Sequence, residues 1–142
     1  MATAETVDLG EVHAPKEESL KLFDDLEVEL KTKLQHLRHE SNKHEPEYFK
    51  KVASLSDKEL TTFSSSDLKE VRIATSAYGM HLFGKVLLPK SSDKYFMFRA
   101  FIGGEDGPKF HSIRMDETEM KDGDKVFNAI FEKGDELVWF DT

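Results

Sequence analysis

Apolar residues recur every three or four positions along one stretch of the chain and at every second position along several others. Leu20, Phe23, Leu26, Leu30, Leu34 and Leu37 interrupt a segment otherwise filled with charged residues, the signature of a helix with one buried stripe. Pro15 stands where a helix can open, because a first-turn residue needs no N–H partner. Glu17 and Glu18 complement the positive end of the helix dipole, and Lys31, Lys33, Arg38 and His39 the negative end. The spacing predicts one helix over residues 15–39, ended by residues 41–46. A stripe near heptad spacing also fits a coiled-coil seam. No second helix of comparable strength follows, so a single helix lying across a sheet is expected.

Beyond the helix the pattern changes to strands. Residues 68–73 alternate Leu68, Val71 and Ile73 with Lys69, Glu70 and Arg72. Residues 80–88 and 95–102 are apolar, β-branched and aromatic runs, joined by Pro89-Lys90-Ser91-Ser92-Asp93-Lys94, which is turn chemistry. Residues 109–115 alternate again, and period two places Phe110, Ser112 and Arg114 on one side and His111, Ile113 and Met115 on the other. Short strands are expected at 126–131 and 136–140, the latter ending in Trp139 and Phe140 as core and rim packing. Residues 47–55 fit either a strand or a short helical turn. Ser56 followed by Glu59 marks a helix start. Residues 103–108 carry the strongest turn signal, and 116–124 read as a charged loop. The expected fold is α+β: one N-terminal amphipathic helix packed on a curved antiparallel sheet of about five strands. Residues 1–14 form a flexible arm in which Leu9, Gly10 and Val12 can extend as a strand, and residues 15–142 form one domain.

Composition narrows the function. The chain has 142 residues and no cysteine, which excludes disulfides, thiolate zinc sites and a cysteine nucleophile and suits a reducing compartment. No basic segment followed by an apolar one opens it, and no apolar run approaches the ~20 residues of a membrane span, so a soluble cytoplasmic protein is expected. With 28 acidic against 20 basic residues, a general nucleic-acid binder is disfavoured. His36, His39 and His44 lack a facing carboxylate–histidine set and read as a basic helix end rather than metal ligands. No frame within 116–124 meets the ligand spacing of a calcium loop. No metal or cofactor is expected. An enzymatic reading would need a convergent acid–base pair, and His81 and His111 with Asp93 or Asp116 are the candidates.

One stretch stands apart: Thr75-Ser76-Ala77-Tyr78-Gly79, uncharged, small and ending in glycine. With Met80-His81-Leu82-Phe83-Gly84-Lys85-Val86 it resembles the stefins, the type 1 branch of the cystatin superfamily, whose consensus reads Gln-Val-Val-Ala-Gly and then Thr-Asn-Tyr-Phe-Ile-Lys-Val. Gly79, Phe83, Lys85 and Val86 align without a gap. Met97-Phe98-Arg99-Ala100-Phe101 is similar to the family strand His-Leu-Arg-Val-Phe, and Asp135-Glu136-Leu137-Val138-Trp139-Phe140 to the ending Asp-Glu-Leu-Thr-Tyr-Phe. Residues 39–68 and 115–133 are longer than their stefin counterparts, and Glu105 and Asp106 replace apolar loop contacts. The resemblance implies a cystatin-like fold and reversible inhibition of papain-like cysteine peptidases. An apolar wedge would enter the active-site cleft without reacting, built from Gly10, Thr75, Ser76, Ala77, Tyr78, Gly79, Gly103, Gly104 and Pro108. The alternative is a cystatin-fold interaction module without inhibitory activity. A monomer is expected, with domain swapping through a strained hairpin as the route to a dimer.

Overall fold

The computed structural model describes residues 8–103 and 107–140. In chain order it contains β1 (Asp8–Leu9), α1 (Glu17–His44), a 3-10 segment (Pro46–Val52), α2 (Asp57–Leu60), β2 (Leu68–Ser76), β3 (Gly79–Leu88), β4 (Lys94–Ile102), β5 (Pro108–Ile113), β6 (Asp116–Glu119) and β7 (Lys125–Asn128). Strands β1 to β5 form one antiparallel sheet in sequential order, and β6 and β7 pair separately. The α+β arrangement of one long N-terminal helix and an antiparallel sheet is therefore the one the pattern predicts. None of the described helices is long and apolar enough to cross a membrane.

The leucine stripe explains the position of α1. Leu22, Phe23, Leu26, Leu30 and Leu34 are buried, with Leu20 and Leu37 partly so, against Leu68, Val71, Leu82, Val86, Phe96, Phe98 and Ala100 of the sheet. The Phe23 ring lies 5.9 Å from Phe98 and 6.1 Å from Phe63. Over 28 residues the helix is about 42 Å long. It starts and ends later than expected. Lys16 is the extended cap, so Pro15 precedes the helix instead of opening its first turn. At the other end the ladder continues until Glu45 N–H reaches the Ser41 carbonyl.

The opposite face of the sheet is covered too. Ala74, Phe83 and Met97 form a second core with Phe131 and Leu137, flanked by Leu9, Val12, Trp139 and Phe140. The covering segment is not the strand expected at 136–140: it crosses the sheet as an irregular strap. Its carbonyls are satisfied by side chains instead of a ladder. Arg72 Nη1 donates to the Leu137 carbonyl at 3.0 Å. Lys85 Nζ donates to those of Lys133 and Asp135 at 2.9 and 2.6 Å, and Arg99 Nη1 to that of Phe140 at 2.9 Å. Burial pulls the Lys85 ammonium below its ordinary value, with Glu70 and Asp135 acting in the opposite sense. Because both faces are covered, β3 and β4 are buried almost throughout, which is why each reads as a continuous apolar run.

Three further expectations are corrected. Residues 116–124 contain a strand, β6, whose run of Asp, Glu and Thr offers no apolar alternation to read. The expected strand at 126–131 is β7 followed by a single bridge in which Phe131 and Tyr95 exchange backbone bonds of 2.7 and 2.8 Å. In β5 the alternation is broken by a bulge opposite Arg99 and Ala100. The extra residue puts Phe110 and Ile113 together against the helix, and His111 stacks instead on Phe101 of the other face.

Residues 47–52 are 3-10 helical, and Ser56 and Glu59 form a reciprocal capping box that starts α2. The 3-10 segment and β7 with the residues after it dock on each other. Phe127 N–H donates to Glu47 Oε1 at 2.6 Å, Ala129 N–H to the Tyr48 carbonyl at 3.0 Å, and the Tyr48 and Phe127 rings lie 5.1 Å apart. Arg38 is buried and ties α1 to the same region by donating to the Leu55 carbonyl at 2.7 Å and pairing with Asp57.

Candidate functional site

The sheet turns at Ser76 and Gly79, which face each other with only Ala77 and Tyr78 between them. This tight hairpin is held from inside. Ser76 Oγ accepts from Tyr78 N–H at 3.2 Å and donates to the Gly79 carbonyl at 3.3 Å. Gly79 has φ +147, outside the range L side chains adopt freely. A Cβ there would also lie 2.5 Å from the Ile102 carbonyl, and one at Gly103 would lie 2.7 Å from the Tyr78 carbonyl. The β2–β3 hairpin and the end of β4 thus touch through glycines. Pro108 pairs with Ile102 where β5 begins, so both hairpins open at the same end of the sheet.

The N-terminal segment reaches that end as well. Asp8 and Leu9 pair with Thr75 and Ala74, Gly10 N–H donates to the Ile73 carbonyl at 2.8 Å, and Arg72 Nε donates to the Gly10 carbonyl at 2.6 Å. Of the arm expected to be flexible over 1–14, residues 8–10 and 13 are hydrogen-bonded to β2, and residues 1–7 lie outside the described residues. Gly10, Thr75, Ser76, Ala77, Tyr78, Gly79, Gly103 and Pro108 are therefore gathered at one end of the sheet. Gly104, with Glu105 and Asp106, lies outside the described residues. Tyr78 is 64% exposed and Met80 beside it 40%, next to a shallow apolar depression lined by Leu22, Ile73, Leu82 and Ile102.

Behind the hairpin, on the strap side, lies a cluster that alternation alone did not assemble. His81 is buried, with Nε2 3.4 Å from Ser76 Oγ and Nδ1 3.2 Å from Arg99 Nη2. The Arg99 guanidinium stands 4.4 Å over the Trp139 ring and 5.6 Å over Phe83. The His111 ring is 6.2 Å from His81 and stacks on Phe101 at 5.7 Å and 7°. Both imidazoles titrate below their ordinary range: His81 through burial and then Arg99 and His111, His111 through burial and then Arg99 and Lys109. The signal in the sequence was polar residues at like-facing positions inside two apolar runs, His81 and Lys85 in one and Arg99 in the other.

Neither aspartate considered with these histidines joins them. Asp93 lies in the β3–β4 turn, at the far end of β3 from His81, and Asp116 is gripped by the Arg114 fork at 3.0 Å on both oxygens. Among the described residues no three His, Asp or Glu side chains converge to hold a metal ion, so His36, His39 and His44 form no such group. Comparison with protein-family models, curated proteins and solved structures finds no match to this chain.

Proposed function

We propose that this protein is a reversible inhibitor of papain-like cysteine peptidases, of stefin-like (cystatin) type. It would present the end of its sheet to the peptidase cleft as a wedge, with the uncharged Tyr78 hairpin as the main contact. The observation that carries the reading is the convergence of the Leu9–Gly10 segment, the Thr75–Gly79 stretch and the Gly103 and Pro108 positions at one end of the sheet. One long N-terminal helix beside a sheet in which β1 to β5 pair in sequence also supports the reading. Physically, such a tip must lose its hydration cheaply, which an uncharged Ala77-Tyr78 tip does and a charged one would not. It must also be ordered beforehand, which the Ser76 bonds and the glycine contacts achieve.

The test is titration into papain or a cathepsin with a fluorogenic substrate. Inhibition is expected, and Tyr78→Asp should weaken it at least a hundredfold, since a carboxylate would be forced into a desolvated cleft. Because Tyr78 is largely exposed, the same change should shift stability by no more than about 0.5 kcal/mol. Folded parent protein that fails to inhibit at micromolar concentration would remove the reading.

A second reading, a cystatin-fold interaction module without inhibition, is favoured by a different observation. The segment containing Tyr48 and the β6–β7 hairpin pack together, and that hairpin exposes Met120 and Val126. If inhibition is absent, this docked pair is the surface to examine.

A further inference from the structure

We infer that neutral His81 is the positioning residue of the β2–β3 hairpin, and that adding a proton to it releases that hairpin from the Arg99–Trp139 strap. Hydrogen-bond donors fix the chemistry. A guanidinium can only donate, so His81 Nδ1, 3.2 Å from Arg99 Nη2, must be the bare, accepting nitrogen. The proton of the neutral ring then sits on Nε2, directed at Ser76 Oγ at 3.4 Å. Ser76 gives its own hydroxyl proton to the Gly79 carbonyl and accepts from Tyr78 N–H. One continuous chain therefore runs from the strap through Arg99, His81 and Ser76 to the backbone of the hairpin tip.

A second proton has only Nδ1 to bind. There it would set N–H against N–H and a positive ring against a positive guanidinium, so the Arg99–His81 bond must break. Arg99 is held independently, by the Phe140 carbonyl at 2.9 Å and by the Trp139 ring. The imidazole is therefore the partner that moves, and Ser76 loses its link to the sheet interior. Among the described residues, none that faces the ring offers protonated His81 an acidic partner. From β2 it meets neutral Ser76, from β4 Arg99 and Phe101, from β5 His111 with Lys109 beyond it, and from the strap Trp139. Among the described residues, every charged or chargeable group acting on the ring is a base. The β5 bulge aims His111 into this group, adding a second imidazole that burial and Arg99 hold below its ordinary value.

The sign follows from the folded value lying below the ordinary 6.5. The contribution of His81 is fully present above about pH 6.5 and is lost as pH falls below it through the folded value. The hairpin is thus locked at neutral pH and released on acidification. The consequence for peptidase binding rests on the inhibitor reading above, whereas the lock itself does not.

Trp139 is the single tryptophan and packs 5.5 Å from His81, so its emission reports the site directly. The experiment follows Trp139 fluorescence, the amide resonances of Tyr78 and Gly79 and the histidine ring resonances from pH 8 to pH 4.5. Papain inhibition is measured over the same range. All are expected to change with the His81 midpoint, and affinity should fall by at most tenfold per pH unit, the limit for one proton. His81→Gln can accept from Arg99 and donate to Ser76 without titrating, so it should keep the hairpin ordered and abolish the transition. His111→Gln should retain the transition and move it to higher pH, because a neighbouring positive charge is removed. If His81→Gln does not fold, the His111→Gln midpoint decides. Hairpin amides that ignore the His81 titration, or a transition that survives in folded His81→Gln, would overturn the inference. A lock that titrates in a protein that never inhibits papain would leave this inference standing and remove the inhibitor reading. Inhibition with no hairpin transition would do the reverse.

Discussion

The contact between the two hairpin loops rests on Gly79, and four glycine-to-alanine changes separate what that residue contributes. Gly79→Ala meets two penalties. Its φ of +147 costs a side chain roughly 1–3 kcal/mol, and the overlap of the new Cβ with the Ile102 carbonyl at 2.5 Å and Gly103 Cα at 3.0 Å costs about 1–3 kcal/mol more, since backbone atoms cannot rotate away. Gly123→Ala meets only the first kind, with φ +89 and no atom within 4 Å, and should lose about 1 kcal/mol. Gly84→Ala meets only the second kind, against the buried Phe98 ring, and should lose about 1–3 kcal/mol. Gly134→Ala meets neither and should be neutral or stabilising by up to about 1 kcal/mol. For a chain of this length 1 kcal/mol moves Tm by about 4 °C, so Gly79→Ala should melt about 15 °C below the parent and Gly123→Ala about 4 °C below. Urea unfolding followed by Trp139 emission and far-ultraviolet circular dichroism gives each value. A Gly79→Ala protein no less stable than Gly123→Ala would mean that the loops do not touch in solution, and the assembled edge would fail with that contact.

Two further outcomes test the rest of the frame. Arg38→Ala should destabilise by about 2–4 kcal/mol in urea unfolding, because it strips the Leu55 carbonyl of a 2.7 Å bond and removes the ion pair with Asp57; a loss under 1 kcal/mol would show that Arg38 does not anchor residues 52–57. Phe127→Ala should cost about 1–2 kcal/mol by removing the Tyr48 ring contact at 5.1 Å, with faster amide exchange confined to residues 46–52 and 125–129. Exchange spreading into β3 would contradict a separately docked pair of segments.

How much of this was legible depended on whether one residue's neighbours in sequence were also its neighbours in space. The leucine stripe announced α1 because a helix repeats locally, and β3 and β4 were legible because both faces are covered and most positions are apolar. Ser56 and Glu59 announced α2 because a capping box closes within four residues. β6 was not legible, since its charges pair locally, Lys125 with Glu117 at 3.0 Å, and bury little. The β5 bulge was not legible either, because one inserted residue reverses the parity on which the reading of His111 and Ile113 rested. The strap was misread as a strand since its aromatic residues are buried as a strand's would be, while its carbonyls are satisfied by residues some 41 to 65 positions away. Thr75 to Gly79 could be singled out by composition, but the placing of Gly10 and Gly103 beside it depended on pairing across the sheet.

Those distant partners change what the hairpin is. Arg72, Lys85 and Arg99 stand on three successive strands of the same face, and each would be an expensive interruption of an apolar surface if left unpaired. Each instead fastens a carbonyl of the strap, at Leu137, at Lys133 and Asp135, and at Phe140. Arg72 also holds the Gly10 carbonyl and Arg99 the His81 ring, so two of the three fasteners bind a piece of the candidate contact edge as well as the strap. The edge is therefore not a local property of the Thr75–Gly79 stretch. Its N-terminal segment and its central hairpin are positioned through cations that strap residues 133–140 hold in place. A change at Phe140 or Trp139 reaches Tyr78 through Arg99, His81 and Ser76, a path of hydrogen bonds and one ring contact that bypasses the helix.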